Sequence, residues 1–215
     1  MTEPLPIPAL LTLAHWLSAG FPTGAFAYSH GLEAAVRDGQ VRDAAGLQDW
    51  LAAMLTQGAG RSDAILIRRA ASGDDLPGVA ALASALQPSS ERRTEALAQG
   101  AAFAAMVRAV WRFDLPDMAL PVAVGRAAAL AGLPRDAVVA VYLQGLVLNL
   151  TLAAQRLMPL GQTAAQGVVA GLAAAIADLA TDSVALTLDD IGSAAFAIDI
   201  ASMRHEGMEP RLFRS

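Results

Sequence analysis

The stretch Ala137-Val138-Val139-Ala140-Val141-Tyr142-Leu143-Gln144-Gly145-Leu146-Val147-Leu148-Asn149-Leu150-Thr151-Leu152-Ala153-Ala154-Gln155 decides the fold. It carries no charge, is bounded by Asp136 and Arg156, and matches the length of about 20 apolar residues that a helix needs to cross a bilayer. Gln144, Gly145, Asn149 and Thr151 interrupt it, however, so it reads as a bundle helix from Arg135 to Leu157, apolar on all sides because other helices surround it. A membrane span is the competing reading. On the bundle reading, the rest of the chain must supply the cover.

The flanking segments are helical in period. After Asp43, a plausible N-cap, Leu47, Trp50, Leu51, Met54 and Leu55 repeat at i, i+3, i+4, i+7 and i+8 up to a stop at Gly58. A second helix opens after Ser89-Ser90, with Glu91 at its positive end, a stripe of Phe103, Met106, Val110 and Phe113, and Pro116 closing it. Pro121 and Pro134 read as first-turn prolines with Gly132 as the stop between them. Val168, Leu172, Ala175, Ile176 and Leu179 form another apolar face. Shorter helices are expected near 9–17, 29–37, 64–71, 79–86 and 189–201. Small residues at Gly100-Ala101-Ala102 and Gly125-Arg126-Ala127-Ala128 mark places where helix axes approach closely. Strand alternation is scarce. The expected fold is all-α: a single compact bundle of roughly eight to ten helices over residues 1–201, with a flexible C-terminal tail over 202–215.

Composition agrees with one domain of 215 residues, 55% apolar and 16% charged, too apolar for intrinsic disorder. All 15 basic side chains are arginine, and neither lysine nor cysteine occurs. Their absence excludes a Walker A loop, lysine Schiff-base chemistry, thiol nucleophiles, disulfides and cysteine metal sites. A net charge of −5 argues against a nucleic-acid partner, whose phosphates need a basic face. No basic residue precedes Arg37 and the opening Met1-Thr2-Glu3-Pro4 does not resemble a signal peptide, so a cytoplasmic protein without a membrane partner is expected.

Helical logic fails in three places, and functional sites are where such failures concentrate. The first is Ser18 to Gly31, rich in glycine and aromatics. Gly20 and Gly24 suit positive φ there, Pro22 fixes one turn, and Phe21, Phe26 and Tyr28 are placed to pin the loop to the bundle. Within it, Ala27-Tyr28-Ser29-His30-Gly31 approximates a nucleophile elbow, which makes a serine hydrolase using Ser29 and His205 the alternative function. An elbow needs a preceding strand, for which the proline-broken N-terminus leaves no room. The competing reading is that Ser29 caps the helix that follows. The second break is Arg156-Leu157-Met158-Pro159-Leu160-Gly161-Gln162-Thr163, where Arg156 is either a cation at a helix C-terminus or part of an interface or polar channel. The third is the tail, in which Leu212 and Phe213 lie between Arg211 and Arg214, a composition suited to docking on a partner. His15, His30 and His205 have no mutual metal-ligand spacing, so no metal site and no cofactor are expected.

Together these segments resemble the urease accessory protein UreF family. The likeness lies in Phe21-Pro22-Thr23-Gly24-Ala25-Phe26-Ala27-Tyr28-Ser29-His30-Gly31-Leu32-Glu33, in Arg156 to Thr163, in Arg204-His205-Glu206, and in Arg211-Leu212-Phe213-Arg214-Ser215. Ala25, Ala27 and His30 depart from the glycine, serine and glutamine usual in that family, and Gly207-Met208-Glu209-Pro210 replaces a more polar link. The resemblance implies an all-helical homodimer without catalysis of its own. It would be a scaffold joining UreD (also called UreH) to the nickel-carrying GTPase UreG, so that nickel reaches the urease apoprotein. It also implies partner contacts through Arg204, His205, Glu206 and Arg211 to Ser215, with Phe26, Tyr28, Ser29 and Glu33, and structural or interface turns at Pro22, Gly24, Gly31, Arg156, Pro159, Gly161 and Gln162. An arginine acting in trans on the GTPase is a further expectation, with no single arginine selected.

Overall fold

Residues 5–73 and 75–215 are described by a computed structural model. Residues 1–4, part of the segment expected to lack a leader, lie outside the described residues. In chain order the helices are α1 (Ile7–Trp16), α2 (Leu32–Arg37), α3 (Ala44–Gln57), α4 (Ala59–Ser72), α5 (Leu76–Ala85), α6 (Ser90–Trp111), α7 (Leu120–Leu130), α8 (Arg135–Leu157), α9 (Gln162–Gly171), α10 (Ala173–Asp182) and α11 (Phe196–His205). Single residues separate α3 from α4 and α9 from α10, so counting each pair as one bent helix leaves nine, within the expected range. No strand occurs among the described residues.

Local chemistry sets the boundaries. The Asp43 carboxylate accepts the Gly46 N–H (2.9 Å) at the start of α3, and the Ser89 hydroxyl accepts the Arg92 N–H (3.2 Å) at the start of α6. Asp43→Ala is therefore expected to lower stability by about 1 kcal/mol in a urea titration. Pro121 lies in the first turn of α7 as expected, whereas Pro134 sits one residue outside α8, as its N-cap.

The uncharged stretch is the bundle helix it was read to be. α8 packs against α1, α2, α3, α4, α7, α9 and α10, burying Val138, Val139, Leu143, Val147, Leu150 and Ala154. By length and composition alone α8 and the segment Gln162–Asp182 would pass as membrane spans. The polar interruptions in α8 have tertiary uses: the Asn149 side chain donates to the Ala25 carbonyl (3.1 Å), and the Gln155 side chain donates to Gln162 (3.0 Å).

Close helix approaches occur at the predicted small residues. A Cβ on Gly125 in α7 would lie 2.9 Å from Ile67 Cα in α4, and one on Gly100 in α6 would lie 2.7 Å from the Leu120 nitrogen. Neither contact tolerates a side chain without moving backbone.

Several expectations need correction. The face Val168 to Leu179 does not belong to one straight helix, since the chain bends at Gly171–Leu172. The segment 189–201 splits into a 3-10 turn (Leu188–Asp190) and α11, which runs past the expected boundary at 201 to His205. On α6 the buried stripe is not Phe103, Met106, Val110 and Phe113, because Val110 is exposed. It is Arg92, Glu95, Gln99, Phe103 and Val107, whose first half is polar.

Candidate functional site

The three segments that break helical logic meet at one place. Left-handed His30 (φ 56°) and Gly31 (φ 78°) lead into α2, and only glycine fits at 31, where a Cβ would lie 2.5 Å from the Ser202 nitrogen in α11. This close passage brings the first turn of α2 beside the C-terminal tail. Glu33 there accepts the Leu212 N–H (2.6 Å) and the Phe213 N–H (2.8 Å), while His205 Nε2 lies 3.3 Å from the same carboxylate. The other ring nitrogen, Nδ1, lies 2.7 Å from Glu91, which also holds Arg211. His205 is fully buried between the two carboxylates.

The tail is thus seated on the body, which corrects the expectation of a flexible segment. Met208, Phe213 and Ser215 are buried, and two main-chain hydrogen bonds join tail to loop: Arg214 N–H to the Ala27 carbonyl and Ser29 N–H to the Ser215 main-chain oxygen (both 2.9 Å). The physical reason is the carboxylate of Glu33, which satisfies two backbone donors that a free tail would leave to water. Arg156 closes the site from α8, donating to the Phe26 carbonyl (3.0 Å) with its guanidinium 4.4 Å from the centre of the Phe213 ring. It occupies the last turn of α8, as a cation at a helix C-terminus does, and bridges loop and tail within the chain.

Glu206 faces the other way, accepting the Ser90 hydroxyl (2.6 Å) and the Ser90 and Glu91 N–H groups at the start of α6. Donation from Ser90 first, and then from these N–H groups, holds its pKa below the usual carboxylate range. Arg204 reaches Asp38 at the surface (3.1 Å). Phe21 and Tyr28 are buried as expected, but Phe26 is not: it is 74% exposed, and Leu212 in the tail is 53% exposed. Gly24 takes positive φ (76°), in the turn that Pro22 precedes. Pro159 and Gly161 make the turn into α9, with Gly161 its N-cap.

The hydrolase alternative is not assembled. Ser29 is fully buried, its hydroxyl donates to the Ser215 main-chain oxygen and accepts from the Glu33 N–H (3.3 Å), and His205 is held by Glu33 and Glu91 instead. Ser29 is not the cap of the competing reading either: α2 begins at Leu32 with Gly31 as its N-cap, and the Ser29 hydroxyl meets the helix only through the Glu33 N–H.

Beneath the tail lies a polar cluster that sequence reasoning missed. Glu95, 1% exposed, accepts His30 Nε2 (2.7 Å), Gln99 Nε2 (2.7 Å) and the Ser215 hydroxyl, and pairs with Arg92. Burial pushes its carboxyl up, but Arg92 and His30 outweigh this and hold it at about 2. Its contribution to stability is therefore present above the ordinary carboxylate range and lost as pH falls towards about 2. A signal for the cluster did exist: Arg92, Glu95 and Gln99 continue the i, i+3, i+4 stripe of Phe103 and Val107. Nearby, Asp63 on α4 accepts the Tyr142 hydroxyl of α8 (2.8 Å), and burial raises its pKa to about 6 despite that bond.

For Asp63 the sign is opposite to that of Glu95. The folded state holds its proton to about 6 while the unfolded chain releases it near 3.8, so this group's contribution declines as pH rises between those values. Asp63→Asn, which retains an acceptor for Tyr142, is expected to flatten that slope and to stabilise the protein above pH 6 by roughly 2 to 3 kcal/mol, read from denaturation midpoints across pH. An unchanged pH profile would show that Asp63 is not the group responsible.

The chain is similar in sequence to known proteins. A family model described as UreF matches residues 41–173. A urease accessory protein UreF of Cereibacter sphaeroides is 53% identical over 207 residues, covering 96% of this chain and 99% of the relative. Proteins of the same name from Roseobacter denitrificans (47% over 209 residues, 96% and 94% coverage) and Azorhizobium caulinodans (46% over 223 residues, 97% and 96%) are similarly alike end to end.

Proposed function

Since the chain belongs to the UreF family of urease accessory proteins, we propose that it acts in urease maturation as a non-enzymatic scaffold. It bridges UreD (UreH) and the GTPase UreG, influences nucleotide turnover on UreG, and so brings nickel, as cargo, to the urease apoprotein. It works as a cytoplasmic homodimer and has no need of a cofactor, nucleic acid or membrane.

The observation that carries this reading is the convergence of the loop, the Arg156 turn and the C-terminal tail on one surface, with Phe26 and Leu212 left exposed at its edge. Apolar side chains beside arginines, on a pre-ordered surface, are what protein partners bind. Exposed apolar rows support contact elsewhere too: Ile7, Leu10 and Leu11 on α1, and Phe196, Ile200 and Met203 on α11 at helical spacing.

Co-purification with the UreD and UreG of the same organism tests the proposal. Removing residues 211–215 is a poor probe, because it also strips partners from buried Glu33 and Glu95. The double variant Phe26→Ala, Leu212→Ala touches only exposed side chains, and it is expected to keep the thermal midpoint while weakening capture at least tenfold. No complex with the unaltered protein would defeat the scaffold reading; full capture by the double variant would move docking away from this surface.

A further inference from the structure

A cavity of about 360 Å³ lies between the Ser18 to Phe26 loop, α6 and α8, and its wall includes Trp16, His30, Asp63, Arg92, Glu95 and Tyr142. Three buried nitrogens of these residues lack a hydrogen-bond partner: Trp16 Nε1, His30 Nδ1 and Arg92 Nη1. The last touches Glu95 as an ion pair, out of line for a hydrogen bond. Buried polar atoms of this kind are rarely left without a partner. Among the described residues, Trp16 Nε1 and Arg92 Nη1 are donors, and His30 Nδ1 becomes one when the ring is protonated, since Nε2 faces Glu95. His30 and Arg92 also border a second, smaller pocket. His30 itself has a left-handed backbone (φ 56°), a conformation that costs a non-glycine residue about 1 kcal/mol or more and persists where the structure enforces it. The rest of the wall is largely apolar, with Phe103 and Leu146 among its residues.

We propose that this cavity binds a small monocarboxylate, whose oxygens accept from His30 Nδ1 and Arg92 while its short apolar tail lies against the Phe103 and Leu146 side. Arg92 and a protonated His30 specify an acceptor, and the apolar wall specifies a ligand with little more than one polar end. The charge balance also fits. Arg92 and Glu95 already neutralise each other, and His30 is held neutral, its pKa lowered by burial first and by Arg92 second. An entering anion is compensated when His30 takes up a proton, leaving an imidazolium between Glu95 on Nε2 and the ligand on Nδ1. Binding is therefore accompanied by proton uptake and tightens as pH falls. Asp63 acts in the same direction, since its protonated form removes a neighbouring negative charge; Tyr142 and Gln99 face the cluster without changing sign. This site is independent of the scaffold proposal, because its occupancy is read without any partner protein.

Titration of the whole protein with propionate, followed by NMR of the histidine ring protons, decides the matter. With His15 and His205 as internal controls, the His30 resonance should move saturably towards its protonated position, with a Kd of about 1 mM near pH 6. Affinity should fall by up to about tenfold per pH unit above that. Propionamide, of the same shape without the charge, should not move it. His30→Gln keeps a donor for Glu95 but not the second donor, and should weaken propionate binding about tenfold with the thermal midpoint retained. An equal response to propionamide, a non-saturable shift in the unaltered protein, or saturation with the His30 resonance unmoved would each overturn the proposal and leave the donors to water.

Discussion

Glu33→Ala is expected to release residues 211–215 and to cost roughly 3 to 5 kcal/mol of folding stability. The carboxylate satisfies the Leu212 and Phe213 N–H groups and stands beside buried His205, so its removal leaves three groups without their partner in one step. Unseated, the tail withdraws Phe213 from beneath Arg156 and the Ser215 hydroxyl from Glu95. The damage thus spreads from α2 to α6 and α8. Urea denaturation reads the stability loss, and trypsin reads the release, since Arg211 and Arg214 become cleavable. Glu33→Gln retains an acceptor oxygen and should lose about half as much. If the scaffold proposal holds, Glu33→Ala should also lose capture of UreD and UreG, by disordering the surface rather than by removing a contact. A tail still resistant to trypsin in Glu33→Ala would mean that Phe213 burial and the main-chain bonds to Ala27 and Ser29 suffice to seat it.

Gly125→Ala is expected to be as damaging, at about 3 kcal/mol or more, although it adds one methyl group. The new Cβ would meet the backbone of Ile67, which cannot turn aside as a side chain can, so α4 and α7 must separate. Gly100→Ala should behave alike against Ala119 and Leu120. Gly161→Ala is the control: ordinary φ (−67°) and open space around it leave only the change of N-cap residue, a loss of at most about 1 kcal/mol. Thermal midpoints of the three variants test the set. A Gly125→Ala protein as stable as Gly161→Ala would refute the close approach of α4 and α7.

Much of this was legible before any tertiary information. Asp43 and Gly58 bound α3 as their chemistry demands, α8 begins and ends at Arg135 and Leu157, and Gly100 and Gly125 lie at helix crossings. The site was legible as three anomalies, each short of helix-forming logic. Their mutual contact was not. The polar half of the α6 stripe escaped notice because Arg92 and Glu95 look like surface residues unless their partners are known, and those partners, His30 and Ser215, are distant in the chain. Phe26 was misplaced for the converse reason: an aromatic in a glycine-rich loop suggests burial, yet of the three rings only Phe21 and Tyr28 are buried.

The sequence by itself determined the all-helical class, most helix ends and the family, because caps, prolines and the 3.6-residue period act over a few residues and leave a local record. Only the tertiary structure decided that the tail is seated rather than free, that His205 serves Glu33 and Glu91 rather than Ser29, and that a donor-lined cavity lies under the loop. Those outcomes depend on pairings such as Glu33 with Phe213, 180 residues apart, and on which polar groups burial deprives of water. Neither quantity exists until the chain has folded.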